Sequence, residues 1–477
     1  MRFEFLTTFR TEPLLELSMI PHFHTLDLTR MKKGTDISDI LYLATIKNPV
    51  KQETKNFETL QLDCSTCHYQ YICNKGNFNF IPKFTKLRIL DVSFPETDDD
   101  CFHLISKHCP DLRELYAKRG EVTDEGIRNL CVIGNCKSIR KLDLERCNKV
   151  TTKGIQLALD NLPQLRAFCH ESLLEGLAEI AQSATDNKID LPKYSLSTLY
   201  VVKETVYKSG SLQQSVLLCP NVTEVNLAIW REGLKDSELL SLLSLKQLYT
   251  IQVQHAIPEP LHRTEIRIDR GLTFDGVVPL LKKFGYTLKN LRFEFFVVVD
   301  IPVITEFCSN LESLTLYCCK TTQRYIETEV ERPRLNNLKK LIIGYLTISS
   351  EDLVALLASP SLLYVGLLRC DALNDNVFHR VSNLHSFRNL EHLYISNCNS
   401  VTKNGIEIFL QESNPLREII LCCSEQSVSR ITRDDVANWN DTAIWIKKNW
   451  RFNFILKSYR RYIYLGGYTW KHRRGEF

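Results

Sequence analysis

Residues 109–127 read CPDLRELYAKRGEVTDEGI, and residues 136–155 read CKSIRKLDLERCNKVTTKGI. The two stretches are one phrase written twice. Each opens on Cys, runs through alternating apolar positions and closes on Val-Thr-x-x-Gly-Ile. In the second copy the apolar positions are Ile139, Leu142 and Leu144. A period of two over so short a run predicts a strand with one face turned inward. Thr151 is placed to cap the next helix through its hydroxyl. Gly154, in the first helical turn, lets neighbouring coils approach closely, at some cost in helix propensity. Ile155 then begins the buried stripe of the helix. One phrase therefore encodes strand, turn and helix.

The phrase recurs along the chain. Its ending returns as Val122-Thr-Asp-Glu-Gly-Ile127, Val150-Thr-Thr-Lys-Gly-Ile155 and Val401-Thr-Lys-Asn-Gly-Ile406. Its strand half also begins near Phe23, Phe57, Leu87, Leu165, Leu196, Val222, Leu245, Leu288, Leu311, Leu338, Leu362, Leu390 and Leu416, with a degenerate copy at Ile266 and Ile268. Starts from Leu87 to Val222 lie 25, 27, 26, 31 and 26 residues apart, and those from Leu288 to Leu416 lie 23, 27, 24, 28 and 26 apart. This is the period of leucine-rich repeats. One unit cannot bury its own apolar edge, whereas a stack of units can. The expected fold is an α/β leucine-rich repeat horseshoe, with parallel strands on the concave face and helices on the convex face. Residues 23–424 would form about sixteen repeats, irregular near 176–195 and 254–287. Residues 1–22 would be an N-terminal cap or a truncated start, and 425–477 a basic, aromatic cap and tail. In that tail Trp439 and Trp445 are placed to pack on the last coil, and its basic-aromatic face is an alternative contact for acidic lipid or nucleic acid.

Composition narrows the class further. The chain has 477 residues, 44% of them hydrophobic, and a formal charge of +4. A disordered chain would need lower hydrophobicity and higher charge. No apolar run is long enough to predict a membrane-spanning helix. Residues 447–477 carry nine Lys or Arg against Glu476, a charge of +8, so residues 1–446 carry 4 − 8 = −4. A general nucleic-acid-binding surface is not implied. The 17 Cys are odd in number, and no secretory signal opens the chain, so reduced thiols are expected. The expected location is cytoplasmic, with the nucleus also open.

The cysteines sit at fixed places in the phrase. Cys147, Cys319, Cys370 and Cys398 each follow the first apolar residue of their strand by eight positions. Cys109, Cys136, Cys219 and Cys308 each precede it by three. At the first place a thiol can meet backbone groups of adjacent coils, and at the second the Pro after Cys109 and Cys219 ends the preceding helix. Together with residues 109–127 and 136–155, this pattern resembles the cysteine-containing leucine-rich repeat family. The resemblance covers roughly residues 20–424 and implies a recognition scaffold. Many members carry an F-box that binds Skp1, while their repeats select a protein for ubiquitination. Skp1 and a cullin would then be partners if an F-box precedes the repeats. The first 22 residues show no F-box pattern. The chain is thus read either as a truncated form or as a repeat-only adaptor or regulator.

Catalytic chemistry finds little purchase. No nucleophile elbow, phosphate-binding loop, dinucleotide fingerprint or H-E-x-x-H is present. Cys64, Cys67, His68 and Cys73 include one zinc-like Cys-x-x-Cys, but the remaining pair is poorly spaced for a four-ligand site. The reading is a non-enzyme without cofactor or metal, with a hydrolase or metal enzyme as the remote alternative. The candidate site is instead the strand face, where residues between the buried positions are expected to meet solvent. A protein partner would contact Glu114, Tyr116, Lys141, Asp143, Glu145 and Arg146 in early repeats. In later repeats it would contact Arg292, Glu294 and Tyr317, with Thr315 and Lys340 beside them, and then Tyr364, Arg369, His392 and Tyr394. Tyr and Arg supply large contact areas and directed hydrogen bonds.

Overall fold

The computed structural model describes residues 81–201, 207–229, 234–255, 272–322, 335–410 and 416–424, with shorter stretches at 2–4, 25–27, 58–61, 78, 431, 434–435, 437–439 and 451–457. The chain divides into two compact units, one of Met1–Leu234 with Ser241–Gln247, the other of Lys235–Leu240 with Leu248–Phe477. Each is a leucine-rich repeat solenoid: parallel strands in one sheet, with helices or turns between successive strands where the intervening residues are described.

The first unit holds β1 (Arg2–Glu4), β2 (Thr25–Asp27), β3 (Thr59–Gln61), β4 (Ile89–Asp91), β5 (Glu114–Tyr116), β6 (Lys141–Asp143), β7 (Ala167–Cys169), β8 (Thr198–Val201) and β9 (Glu224–Ile229). Between them lie α1 (Asp99–His108), α2 (Asp124–Arg128), α3 (Thr152–Asn161), α4 (Leu173–Asp186) and α5 (Ser211–Leu218). β1 pairs in parallel with β2, ahead of the first phrase recognised in the sequence. From β3 onward the phrase sets the register. Leu60, Leu90, Leu115, Leu142, Phe168, Leu199 and Val225 stand in one row across the sheet. Every member of that row is fully buried. Deleting any one of these side chains would cost about 2–5 kcal/mol, because a stacked core cannot collapse around the gap.

The second unit holds α6 (Asp236–Leu239), β10 (Thr250–His255), α7 (Phe274–Phe284), β11 (Asn290–Glu294), α8 (Ile301–Phe307), β12 (Ser313–Tyr317), β13 (Lys340–Gly344), α9 (Ser350–Leu357), β14 (Tyr364–Leu368), α10 (Asp375–His385), β15 (His392–Ser396), α11 (Lys403–Glu407), β16 (Glu418–Ser424) and β17 (Arg451–Lys457). Here Ile251, Leu291, Leu314, Leu341, Val365, Leu393 and Ile419 form the buried row. The strand phrase expected from Leu245 starts three residues later. Leu248, not Leu245, is the residue equivalent to Leu288, because Ile251 pairs with Leu291. The sequence Leu245-x-x-Leu248-x-x-Ile251 satisfies the spacing twice, and only pairing decides between the two readings. β10 pairs directly with β11, so no repeat strand stands between them. The degenerate copy at Ile266 and Ile268 lies outside the described residues. β17, within the basic C-terminal segment, adds a parallel strand beside β16. Trp439 is buried, and Trp445 lies outside the described residues.

The Val-Thr-x-x-Gly-Ile ending has a physical cause that spans two repeats. Asp99, the first residue of α1, accepts from Thr123 N–H at 2.8 Å and from its hydroxyl at 2.7 Å. Thr123 Oγ1 in turn accepts from Glu125 N–H at 3.1 Å, which caps α2. Asp124 repeats the device on Thr151 at 2.7 and 2.6 Å, and Asp375 repeats it on Thr402 at 2.8 and 2.5 Å. A fourth copy, Asp236 on Thr273 at 2.7 and 2.6 Å, belongs to Leu272-Thr-Phe-Asp-Gly-Val277. In every copy the carboxylate fills the space above the glycine three residues past the Thr: Gly126, Gly154, Gly276 and Gly405. A Cβ there would overlap the Asp Oδ1 atom. The helix accepts glycine because its neighbour's carboxylate needs the room. Where Thr152 replaces Asp at the start of α3, the following α4 has no side-chain cap.

A second device follows the strands. Arg119, Arg146, Phe295, Cys318, Tyr345, Arg369 and Asn397 each lie five residues after their strand begins, and all have φ between 45° and 65°. Six of them donate a backbone N–H to a carbonyl at or within two residues of the C-terminal end of the next strand, as in Phe295 to Tyr317 at 2.9 Å and Arg369 to Ser396 at 2.7 Å. Arg146 N–H goes to the Glu171 carboxylate instead, at 2.6 Å. The left-handed conformation costs a non-glycine residue about 1–2 kcal/mol, and here it extends the hydrogen-bond ladder one step beyond the sheet.

The thirteen cysteines whose side chains are described are free thiols, and all of them but Cys318 are buried. Cys147 Sγ reaches Ala117 O at 2.9 Å and Cys136 Sγ reaches Cys109 O at 3.3 Å, each in the preceding repeat. Cys398 Sγ lies 3.6 Å from Leu367 O and accepts from Cys370 N–H at 3.5 Å. These thiols close backbone groups between coils, as the spacing of Cys147 and Cys398 implied and that of Cys136 did not. None of the described helices is long and apolar enough to cross a membrane.

Candidate recognition surface

Each sheet turns one row of side chains into the core and the alternate row outward. In the first unit the outward row includes Asp91, Tyr116, Asp143, Cys169 and Tyr200. The expectation that such residues meet solvent fails for two candidates, since Tyr116 and Asp143 are buried by their neighbours. Tyr116 donates its hydroxyl to Glu114 at 2.6 Å, and the Lys141 ammonium stands 5.0 Å from the Tyr116 ring centre. Lys118, which the sequence reading passed over, organises the rest. Its ammonium lies 2.8 Å from Glu145 and 3.3 Å from Asp143. Burial works to lower the Lys118 pKa, but the two carboxylates outweigh it and hold the group well above the usual lysine value. Arg146 is exposed beside this cluster. The first unit therefore brings Glu114, Tyr116, Lys141, Asp143 and Glu145 together into an internally satisfied network.

Cys169 is held deep in the same network. Burial, then the Asp143 and Glu145 carboxylates, push its thiol well above the ordinary value. A thiol so placed stays protonated and is a poor nucleophile. Burial likewise pushes Cys109, Cys136, Cys147, Cys308 and Cys398 up to about 12. No group of three His, Cys, Asp or Glu side chains able to hold a metal occurs among the described residues. Cys64, Cys67, His68 and Cys73 lie outside them.

The second unit presents a different face. Along the C-terminal ends of the strands, Phe295 stands edge-on to Tyr317 at 6.2 Å, and Tyr317 edge-on to Tyr345 at 5.3 Å. The Arg369 guanidinium covers Tyr345 at 5.2 Å. The Tyr317 ring lies over Gly344, where a Cβ would overlap it. Burial, then Tyr345, raises the Tyr317 phenol, keeping it neutral. Val297, Val298 and Tyr345 are exposed at this rim. Nearer the strand starts, Tyr364 lies 6.3 Å from the His392 ring, and His392 Nδ1 is 3.6 Å from Glu418. Burial and then Glu418 push Tyr364 up to about 12, while burial and then the Cys422 thiol raise Tyr394. Arg292 is paired through Nε with Glu294 at 2.6 Å, and Glu294 is itself buried. The later candidates thus fall into an aromatic rim of Tyr317 and Arg369, and a polar inner row of Arg292, Tyr364, His392 and Tyr394. Phe295 and Tyr345 complete the rim and were missed. They sit one residue past the strand, where a strict alternation points nowhere.

These observations define a leucine-rich repeat scaffold with an aromatic, arginine-bearing strand face. No protein-family model and no curated protein matches the chain. Among solved structures, the chain is similar to the Rad7–Elc1 complex of yeast, at 16% identity over 72% of this chain and 85% of that one, with a TM-score of 0.49. It is also similar to a leucine-rich repeat protein of Leptospira interrogans, at 14% identity over 93% and 98%, with a TM-score of 0.33. A third similarity is to TLR13 in complex with ssRNA13, at 12% identity over 78% and 73%, with a TM-score of 0.29.

Proposed function

We propose that this protein is a non-catalytic scaffold that recognises a protein partner on its strand faces. The observation that carries this reading is the Phe295–Tyr317–Tyr345–Arg369 rim. Aromatic rings and a stacked guanidinium dominate binding energy at interfaces, and here a parallel sheet holds them rigid before any partner arrives. Buried thiols such as Cys109, Cys136, Cys147 and Cys169, held protonated by burial, support a role in positioning rather than covalent chemistry. The test is site-specific photo-crosslinking in cells. A crosslinker at Tyr345 or Tyr394 should trap a discrete protein adduct, and one at Tyr286, which is exposed just beyond α7, should not. Equal trapping at all three positions would count against the strand face.

A finer reading is that the partner is a substrate for ubiquitination and that associated subunits perform the transfer. Its support is the resemblance of residues 109–127 and 136–155 to the repeats of F-box receptors. Affinity purification followed by mass spectrometry should then recover Skp1 and a cullin. Recovery of a partner without either would leave a repeat-only adaptor.

A further inference from the structure

Lys118 and Lys340 are held in different ways. In the first unit Lys118 is met by two carboxylates. In the second, no carboxylate among the described residues lies in ion-pair range of Lys340, whose ammonium rests 5.7 Å from the Tyr364 ring centre. Lys340 is only partly exposed, and burial together with the nearby Arg292 charge lowers its pKa. Its charge is therefore costly in the free protein and is relieved by an incoming anion. Arg292 sits on β11 and Lys340 on β13, with Ser313 and Thr315 of β12 between them in register. Alternate strands lie about 9–10 Å apart, so both cationic side chains can close on one carboxylate above β12. Glu294 occupies one side of the guanidinium, and the Arg292 side chain remains 44% exposed. Two residues farther along β12, about 6–7 Å away, stands Tyr317 in the aromatic rim.

We infer that the second unit docks an acidic segment of a protein partner, receiving one Asp or Glu carboxylate between Arg292 and Lys340 and laying an adjacent apolar side chain against Tyr317 and Tyr345. This rests on the recognition function proposed above and names the chemistry of its partner. A nucleic acid is the poorer fit. Among the described residues Arg292 and Lys340 do not extend into a basic track along the inner row, and Arg292 already carries the Glu294 carboxylate.

The test is selection of phage-displayed random dodecapeptides on the full chain, followed by affinity measurement with the enriched peptides. Enriched sequences should carry Asp or Glu beside an apolar residue. Lys340→Met should weaken binding roughly tenfold, while Lys340→Arg retains it. Circular dichroism of both variants should match the parent. If enriched peptides lack acidic residues, or if Lys340→Met binds as the parent does, the inference falls while strand-face recognition stands. If Tyr345→Ala and Tyr394→Ala also leave binding intact, the proposed function falls with it. Displacement of the peptides by a twenty-residue oligothymidylate, with tighter binding than any peptide, would reassign the site to nucleic acid.

Discussion

The carboxylate of Asp99 fills the space that a side chain on Gly126 would need, although the two residues belong to successive repeats. The same carboxylate takes both hydrogen bonds that Thr123 can donate, at 2.8 and 2.7 Å. Cap, glycine and carboxylate are therefore one unit. Gly126→Ala should cost about 1–3 kcal/mol by overpacking, and Asp99→Ala about as much by leaving Thr123 N–H without its charged acceptor. In the double variant the carboxylate no longer overlaps the added methyl, only Val122 Cγ1 at 2.9 Å must still give way, and alanine is the better helix former by about 1 kcal/mol. The double variant should thus be more stable than the sum of the two single losses predicts. A double-mutant cycle by urea unfolding measures this, and strict additivity would refute it.

Arg119 tests the turn ladder without touching the core. Its side chain is exposed and its φ is 62°. Arg119→Val should lose about 1–2 kcal/mol, because a β-branched residue resists the left-handed region. Arg119→Gly should stay within about 0.5 kcal/mol of the parent or exceed it. Equal losses for both would mean that the arginine side chain, not its backbone, matters at this turn.

His170 should make stability depend on pH. It is buried, accepts from Ser172 N–H through Nδ1 at 3.0 Å, and places Nε2 3.3 Å from Cys147 O. That arrangement requires the neutral ring with its proton on Nε2. Burial lowers the folded-state pKa below the ordinary value of 6.5. The unfolded chain therefore takes up a proton that the folded chain refuses. Stability from this group is complete above about pH 6.5 and declines as pH falls below it. Urea midpoints should drop between pH 7.5 and 5.5, and His170→Gln should flatten that drop. An unchanged slope in the variant would remove His170 as the cause.

The thiols give a direct check on burial. Cys109, Cys136, Cys147, Cys308 and Cys398, all pushed up to about 12, should resist iodoacetamide at pH 7.5 in the native protein and react at once in urea. Mass spectrometry of the alkylated peptides reads each site separately. Rapid native labelling of Cys147 would mean that its bond to Ala117 O does not hold the thiol inside.

The repeat phrase was readable in the sequence because burial imposes a period that survives substitution. Leu142, Leu314 and Leu393 keep one inward row whatever their neighbours are. The Thr and Gly of the helix start were readable for the same reason. Their partner Asp was not, because it lies 24 residues away for Thr123 and 37 for Thr273. The fourth copy escaped notice because Leu272 and Val277 replace the usual Val and Ile beside a degenerate stretch. On the strand face the outward positions were found, but alternation says nothing of depth. Asp143 and Glu294 are buried by the long side chains that pair with them. The left-handed turn left no mark at all, since Arg, Phe, Cys, Tyr and Asn all occupy it.

Gly344 is where the packing of the sheet meets recognition. The Tyr317 ring rests in the space that a Gly344 side chain would fill, and from there it meets Phe295 and Tyr345 edge-on. Gly344→Ala should lift the ring and break the row of edge contacts, each worth about 0.5–1.5 kcal/mol. The loss should appear as reduced near-ultraviolet circular dichroism and weaker partner binding, with the far-ultraviolet spectrum unchanged. Tyr317→Ala in the same chain removes the clash, so the double variant should recover the stability lost by Gly344→Ala while binding stays weak. Recovery of binding as well would show that Tyr317 itself makes no contact with the partner and that the remaining rim suffices.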